Sequence, residues 1–379
     1  MLLTVKLKLI LDKEQQALLL EFMEQFNEAC NFVSAEAFNS MNWNRIKLQK
    51  QCYYGVRSNF GLSAQTSILV IRKVADTYQS DIENIRIRNM RRPGYQFKEE
   101  LRQHDFKKRG AVQYDARCMS WKGNGRVSLL TLRGRIIVTF VLSGKYANID
   151  LSHVRSESDL IYQNKIFYLA VKYDVEEAEV ITQSDFIGVD FGIKNIVATS
   201  DGKLFCGDEC ERVRKYYVDL RRRYQKIGTK SAKRHLARLS NREHNYKSNE
   251  NHRISKDLVS EAKGTGRGLA IEDLTYIPRQ RTAKEAQDAT SKWAFRQLRE
   301  FIEYKAKLSG IPVVQVNPTF TSQRCSICGY TDKLNRRTQS SFVCLACSYE
   351  ENADVNAAIN IKQRAAISQP IVVRHATEA

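Results

Sequence analysis

Four cysteines, arranged as two closely spaced pairs, constrain the fold of this chain more than any other feature. The spacing is Cys325-x2-Cys328 and Cys344-x2-Cys347, with fifteen residues between the pairs. Each pair bends the chain so that two sulfurs face one ion, and the loop returns the second pair to complete a tetrahedron. Two redox-active pairs are the alternative, but nothing around them resembles a thioredoxin motif. The spacing favours a structural zinc ribbon, because four cysteine ligands leave no position open for water.

The remaining composition argues against secreted and membrane-spanning proteins. Nine cysteines in 379 residues are too few for a disulfide scaffold, and their odd number argues against complete pairing. The N-terminus lacks the pattern of a secretory signal, and no apolar stretch approaches the roughly 18–20 residues that span a bilayer. We therefore expect a soluble, cytoplasmic protein with no membrane partner.

The charge of the chain predicts a polyanionic partner. Sixty-one Lys and Arg against 42 Asp and Glu give a formal net charge of +19. Residues 211–256, which have a helical pattern, hold fifteen Lys and Arg but only four acids. A solvated helix face is the alternative, but such a concentration of charge favours contact with nucleic acid. The candidate contacts in this segment are Arg221, Arg222, Arg223, Lys233 and Arg234.

The N-terminal half combines a helical segment with strands. Residues 3–9 alternate between apolar and polar types, which predicts a strand, whereas residues 13–90 have helical periodicity. Residues 127–132 and 136–140 flank Arg133-Gly134-Arg135 and predict a hairpin. A further strand is expected at residues 166–171. This pattern predicts an antiparallel barrel or sandwich that ends at a boundary near residue 180.

The order of elements beyond residue 180 predicts a mixed α/β domain. Apolar strands at residues 186–190 and 195–199, with a third starting at 204, form a meander. After the basic helices, a strand at 268–272, a helix at about 291–308 and a strand at 313–316 predict a parallel crossover. A terminal helix follows the cysteines. This order describes the ribonuclease H-like layout.

Three acids stand at informative positions in that layout. Asp190 and Glu272 each end an apolar strand, and Asp354 opens the terminal helix. A buried acid is costly unless it is paired, hydrogen-bonded or bound to metal, and each one alone fits a helix cap or a salt bridge. In the ribonuclease H-like layout, however, all three converge. Three carboxylates at one point suit two Mg²⁺ or Mn²⁺ ions that activate water for attack on a phosphodiester.

Four sequence motifs resemble those of a known family. They are Ile187–Gly192 (IGVDFG), Ile271–Leu274 (IEDL), Val316–Cys325 (VNPTFTSQRC) and Asp354–Ile361 (DVNAAINI). These motifs resemble the RuvC-like nuclease core of TnpB proteins, which are encoded in bacterial and archaeal insertion sequences and are related to type V CRISPR effectors. The motifs cover residues 186–361 well, and the N-terminal half is similar in layout.

The resemblance implies an activity, its cofactors and its partners. The activity is RNA-guided cleavage of double-stranded DNA next to a short flanking motif, with a guide RNA made from the transposon end. Asp190, Glu272 and Asp354 would be the catalytic, magnesium- or manganese-binding triad, and the four cysteines would hold zinc. The resemblance also implies a prokaryotic, nucleoid-associated protein, for which we expect a monomer.

The resemblance also implies a domain organisation. Residues 1–12 and 91–180 would form a wedge-like β-barrel, into which a helical recognition-like module, residues 13–90, is inserted. Residues 181–379 would form a RuvC-like nuclease domain. Within that domain we expect a basic helical insert at residues 211–263 and the zinc ribbon at residues 318–350.

Two departures from the family pattern and one further arginine are noteworthy. Ser348 follows the last cysteine where the family usually has Gly, and Asn352-Ala353 precede Asp354 where more charge is expected. Neither position is a predicted metal ligand. Arg324, beside the first cysteine, is a candidate phosphate contact, with a free surface arginine as the alternative.

Two other functions remain open from the sequence. One is an RNA-guided DNA-binding repressor that does not cut, which the presence of all three acids disfavours. The other is a transposase that uses the same triad for strand transfer, which would need no RNA.

Overall fold

The computed structural model describes six stretches of the chain, and all structural statements below refer to them. They are residues 1–90, 99–142, 153–180, 185–192, 194–273 and 294–367. The chain divides into two compact units, Met1–Val175 and Glu176–Ala379. No helix in the described stretches combines the length and the apolar character that crossing a membrane requires.

The first unit contains an antiparallel sheet of seven strands in its described part. In chain order they are β1 (Leu2–Ile10), β2 (Val112–Tyr114), β3 (Met119–Trp121), β4 (Arg126–Thr131), β5 (Gly134–Val141), β6 (Val154–Gln163) and β7 (Ile166–Asp174). Their spatial order is β2-β6-β7-β1-β5-β4-β3. The predicted hairpin is confirmed, because β4 pairs with β5 across a turn at Leu132 and Arg133. In β1 the side chains of Val5, Leu7 and Leu9 are buried, as the alternating pattern predicts.

The two edges of this sheet lie close together, so that the sheet is nearly closed. The edge strands β2 and β3 are joined by the short turn at residues 115–118. The Tyr114 hydroxyl donates to the Leu130 carbonyl at 2.7 Å, and the Leu130 amide donates to the Cys118 carbonyl at 2.9 Å. The predicted barrel or sandwich is therefore observed as a nearly closed antiparallel sheet.

Three long helices follow β1 and share the hydrophobic core of the sheet. They are α1 (Lys13–Asn39), α2 (Arg45–Phe60) and α3 (Ala64–Met90). Asp12 and Gln15 form a capping box at the start of α1, which fixes where the helix begins. Gly61 ends α2 with a φ of +60°, a conformation that glycine adopts without strain. The sequence predicts helical structure over this whole region, and the structure agrees.

The second unit is built on a mixed five-stranded sheet. Its strands are β8 (Phe186–Asp190), β9 (Asn195–Thr199), β10 (Leu204–Cys206), β11 (Gly268–Glu272) and β12 (Val313–Val316), in the spatial order β10-β9-β8-β11-β12. Strands β8, β9 and β10 form the predicted antiparallel meander. Strand β11 is parallel to both β8 and β12, which confirms the predicted parallel pairing.

Helices cover both faces of this mixed sheet. The helices are α4 (Asp208–Ile227), α5 (Lys230–Thr265), α6 (Phe295–Leu308) and α7 (Ala353–Ile367). Leu258 of α5 and Ile302 of α6 share a core with Ile187 and Ile271. Ile361 of α7 shares another core with Phe186 and Ala270. Because neighbouring strand residues face opposite sides, α7 lies across the sheet from α5 and α6.

The two basic helices, α4 and α5, pack against each other. The rings of Tyr224 in α4 and His235 in α5 are stacked, with centroids 5.2 Å apart. Ile227, the last residue of α4, is 58% exposed. The predicted start of α6 near Ser291 lies outside the described residues, and the helix is described from Phe295.

Candidate metal centres

The first two predicted acids lie at the ends of neighbouring parallel strands. Val189 of β8 pairs with Ile271 of β11, so that Asp190 and Glu272, the next residues, end their strands side by side. Both also lie on the face of the sheet that packs against α7, because alternate residues of a strand share a face. This is the carboxyl end of the parallel strands, where open α/β sheets place their ligands.

The third acid is brought to the same edge by α7. Asn352 caps this helix, since its Oδ1 accepts hydrogen bonds from the backbone amides of Asp354 and Val355 at 3.0 and 3.3 Å. The residue before Ala353, where the family pattern led us to expect charge, is therefore a neutral helix cap. Asp354 lies in the first turn of the helix and is buried.

Glycine residues allow α7 to lie this close to the sheet. A Cβ atom on Gly188 would lie 1.9 Å from the carbonyl oxygen of Ala358, so that only glycine fits where the helix crosses β8. A Cβ atom on Gly192 would lie 2.7 Å from the Asn195 carbonyl oxygen and 3.6 Å from Oδ2 of Asp354. The backbone of Asn195 therefore approaches Gly192 closely, and a larger residue would be obstructed there.

Asp354 is held by two donors. Its Oδ2 accepts from Asn195 Nδ2 at 2.9 Å, and its Oδ1 accepts from the Arg336 guanidinium, also at 2.9 Å. Arg336 donates in addition to the carbonyl of Gln339. Arg336 is not predictable as a site residue, because nothing in the sequence distinguishes it from Lys333 and other basic residues between the cysteine pairs.

Glu272 accepts a hydrogen bond from the segment that leads to the first cysteine pair. The Thr321 hydroxyl donates to Oε1 of Glu272 at 2.5 Å, and both residues are buried. Burial raises the pKa of Glu272 above its ordinary value, although the Thr321 hydrogen bond and the positive charge of Arg364 oppose this rise.

Asp190 shows that the three acids share one electrostatic neighbourhood. Its pKa is raised well above the ordinary value, mainly by burial and then by the negative charges of Glu272 and Asp354, while Arg336 opposes the rise. Buried carboxylates that repel one another are suited to bind a divalent cation, and oxygen ligands suit Mg²⁺ and Mn²⁺. The acids are spread more widely than the cysteines, which alone among the described residues bring three or more ligand atoms within 4.8 Å of one another.

The four cysteines form the compact cluster that their spacing predicts. The sulfur of Cys325 lies 3.7 Å from that of Cys347, and the sulfur of Cys328 lies 3.5 Å from that of Cys344. Zinc–sulfur bonds of about 2.3 Å in a tetrahedron give sulfur separations of about 3.8 Å. The cluster therefore fits a zinc ion with four thiolate ligands.

Both cysteine turns have the same backbone geometry. The residue after the second cysteine of each pair, Gly329 or Ser348, has a positive φ, of +77° and +57° respectively. Its amide donates to the carbonyl of the first cysteine of the pair, at 3.0 Å in both turns. The left-handed conformation explains why the family prefers glycine after the last cysteine, and Ser348 adopts it at a cost of about 1–2 kcal/mol.

A row of amide side chains on α7 holds the first cysteine turn. Asn356 donates to the Arg324 carbonyl at 2.8 Å and accepts from the Ser326 amide at 3.0 Å. Asn360 donates to the carbonyls of Thr321 and Arg324, and Gln363 donates to that of Ser326 at 2.8 Å. Residues at this spacing share one face of a helix. The helix that carries Asp354 therefore also fixes the backbone around the cysteines.

The predicted nucleic-acid contacts differ in their surroundings. Arg221 forms an ion pair with the buried Glu243, which Lys247 also contacts at 3.1 Å. The other four residues on α4 and α5 are exposed; they are Arg222, Arg223, Lys233 and Arg234. Arg324 is half-buried, and its Nε has no hydrogen-bond partner among the described residues. These contacts stay predictions.

Comparison with known proteins finds relatives among CRISPR-associated endodeoxyribonucleases and TnpB-like proteins. Residues 295–361 match the family model "Cas12f1-like, TNB domain". The CRISPR-associated endodeoxyribonuclease Cas12f1 of Sulfoacidibacillus thermotolerans is 33% identical over 249 residues, which are 60% of this chain and 56% of that protein. A TnpB-like protein of Methanocaldococcus jannaschii is 39% identical over 112 residues, 29% of this chain and 40% of that protein. The chain spans about half the length of the Cas12f1 relatives that it matches.

Solved structures share the fold of the chain. CasPhi-2 (Cas12j) bound to crRNA matches with a TM-score of 0.58 at 11% identity and covers 97% of this chain and 98% of that chain. The mini-RNA-guided endonuclease CRISPR-Cas_phi3 matches with a TM-score of 0.54 at 10% identity, over 98% and 93% of the two chains. These structures show the fold, whereas the sequence relatives confirm the resemblance to the TnpB family that the motifs predict.

Proposed function

We propose that this TnpB-like chain is an RNA-guided, divalent-metal-dependent DNA endonuclease encoded by a transposable element. It would cut double-stranded DNA next to a short flanking motif. The observation that carries the proposal is the meeting of Asp190, Glu272 and Asp354 at one edge of the second unit's sheet. The relatives, which include an endodeoxyribonuclease and a TnpB-like protein, support the same activity.

The side chains at this edge have different roles in the proposed site. Asp190, Glu272 and Asp354 would supply carboxylate oxygens to Mg²⁺ or Mn²⁺. When bound, two such ions would activate water for in-line attack on a phosphodiester and would stabilise the departing 3′ oxygen. Asn195 orients Asp354 through a hydrogen bond at 2.9 Å, and Arg336 offsets the negative charge of the acids. The site lies in what we propose is a RuvC-like domain, residues 181–379.

The cysteine cluster has a structural role in this proposal. As a zinc ribbon at residues 318–350, it would fix the loop that carries Arg336 and the segment that carries Thr321. Four cysteine ligands leave zinc no open position for water or substrate. The ribbon would therefore hold the residues around the acids in place and take no part in the reaction.

The nucleic-acid partners would be gripped by shape and charge. We assign the wedge-like role to residues 1–12 and 91–180, and the recognition-like role to residues 13–90. The basic helical insert at residues 211–263 would contact the phosphate backbone, while base pairing with the guide RNA selects the target sequence. Arg324 would contact a phosphate near the cut. We propose a monomer that acts on the nucleoid in the cytoplasm of a prokaryote.

Two alternatives make different demands on the molecule. An RNA-guided repressor would need no metal at the acids, yet Glu272 and Asp354 are buried near the partly buried Asp190, an arrangement that a divalent cation would stabilise. A transposase would use the same acids without a guide RNA.

One experiment separates all three functions. The RNA that copurifies with the protein is sequenced, and a plasmid library with a matching target and randomised flanks is then incubated with Mg²⁺. The proposal predicts cleavage beside one flanking motif, and ribonuclease treatment should abolish it. Binding without cleavage would indicate a repressor, whereas action on transposon ends after ribonuclease treatment would indicate a transposase.

A further inference from the structure

The Thr321 hydroxyl is placed on one oxygen of Glu272. Thr321 is only 4% exposed, and its hydroxyl lies 2.5 Å from Oε1 of Glu272. The carbonyl oxygen of Pro318 lies 3.0 Å from the same hydroxyl. Because a hydroxyl has one hydrogen to donate, the shorter contact, to a carboxylate, is the stronger one.

The backbone of Thr321 is itself fixed by α7. The Asn360 side chain donates to the Thr321 carbonyl at 2.9 Å and to the Arg324 carbonyl at 2.7 Å. One helix therefore positions two of the three acids. It carries Asp354 in its first turn, and it holds Glu272 through Asn360 and Thr321.

We propose that Thr321 is a positioning residue for Glu272 as a metal ligand. Its hydroxyl would fix Oε1 and so restrict the rotation of the Glu272 carboxylate, which would then be preorganised to bind a divalent ion. This inference rests on the proposed function, because it requires Glu272 to bind a divalent metal. Groups that hydrogen-bond to a metal ligand commonly change metal affinity or activity by about 10- to 100-fold when they are removed.

A purely structural role is the competing explanation. In that case the hydroxyl would only complete the turn with Pro318, next to the cysteines. Thr321→Val removes the hydroxyl at nearly constant shape, and Thr321→Ser restores it. Thr331→Val is a matched control, because Thr331 lies in the same ribbon and is exposed, and its hydroxyl donates to the backbone carbonyl of Gly329 and not to an acid.

The test is a Mn²⁺ titration of each RNA-bound protein by calorimetry, with zinc content measured in parallel. We expect Thr321→Val to bind Mn²⁺ about tenfold more weakly. Thr321→Ser and Thr331→Val should match the unsubstituted protein, and zinc content should be unchanged. Unaltered Mn²⁺ affinity in Thr321→Val would overturn the proposal, and so would a loss of zinc that accompanies the weaker affinity.

Glu272→Gln separates failure of this inference from failure of the proposed function. If Glu272→Gln still binds Mn²⁺ and cuts DNA normally, the assignment of the acids is wrong. If Glu272→Gln loses Mn²⁺ binding but Thr321→Val does not, the assignment of the acids as metal ligands holds and only the positioning role of Thr321 is wrong.

Discussion

The guanidinium of Arg336 lies 2.9 Å from Oδ1 of Asp354, a buried carboxylate in the first turn of α7. Arg336 comes from the loop between the two cysteine pairs, so that the ribbon supplies a cation to the acidic site. Asn195 occupies the other oxygen of Asp354. A metal ion that binds Asp354 must therefore compete with a positive charge that the chain itself provides.

Replacing Arg336 should destabilise the protein when Mg²⁺ is absent. Arg336→Ala leaves the buried Asp354 carboxylate without its cation, which we expect to cost about 3 kcal/mol. Mg²⁺ should restore much of this loss by neutralising the same charge. The measurement is thermal unfolding with and without Mg²⁺. Arg337→Ala, at an exposed neighbouring position, is the control. Equal stability of Arg336→Ala and the unsubstituted protein without Mg²⁺ would contradict this role.

Asp190 should make the stability of the Mg²⁺-free protein depend on pH. Its pKa is raised in the folded protein, so that the folded state binds the proton more tightly than the unfolded state does. Stability therefore falls as the pH rises from the unfolded pKa of about 3.9 towards the raised folded pKa.

Asp190→Asn removes the loss of stability that ionisation of Asp190 causes. Without added Mg²⁺ at pH 8, this variant should unfold at a higher temperature than the unsubstituted protein, by roughly 2–4 °C for each kcal/mol gained in the free energy of unfolding. Near pH 4 the difference in unfolding temperature should vanish. The measurement is thermal unfolding in buffers free of chelators, so that the cysteine site keeps its ion. If Asp190→Asn raised the unfolding temperature more at low pH than at high pH, the predicted direction of the pH dependence would be wrong.

Gly188→Ala should disrupt the contact between β8 and α7. The added Cβ would overlap the backbone of Ala358, so that α7 must move and carry Asp354 with it. We expect a loss of about 1–3 kcal/mol in stability together with a loss of DNA cleavage.

The matched control for this change is Gly264→Ala. Gly264 lies inside α5, and no atom within 4 Å of its Cβ position obstructs the methyl group. That variant should gain up to about 1 kcal/mol, because alanine favours a helix more than glycine does. Equal effects of the two substitutions on cleavage would contradict the proposed crossing.

The cysteine cluster should bind one zinc ion per chain. Cys328→Ser removes one of its four thiolates and should abolish stoichiometric zinc binding and lower the stability of the second unit. Cys206→Ser, at an exposed cysteine of β10, should leave the zinc content unchanged. Atomic absorption of the purified proteins provides the measurement. A zinc content that is unaffected by Cys328→Ser would refute the assignment.

Much of the site is predictable because its main residues stand in local patterns. Short apolar runs predict β8 and β11, and an acid that directly follows such a run, such as Asp190, stands out. The cysteine spacing alone predicts the compact cluster. The basic helices are predictable from charge and periodicity.

The residues that hold the site together are less predictable. Arg336, Thr321 and Asn360 act through partners that are distant in the chain, and nothing beside them in the sequence indicates those partners. Strand β6 is missed for a different reason. After Val154 its first half consists of Arg, Ser, Glu and Asp residues, which obscure the apolar alternation, and pairing with β7 overrides this local signal.

The central claim is that Asp190, Glu272 and Asp354 together cut DNA with divalent metal. Its most direct test compares the unsubstituted protein with Asp190→Ala on a plasmid that matches the copurified RNA, in the presence of Mg²⁺. We predict that the unsubstituted protein linearises the plasmid and that Asp190→Ala binds it equally well but leaves it intact. Cleavage by Asp190→Ala at an unchanged rate would contradict the account.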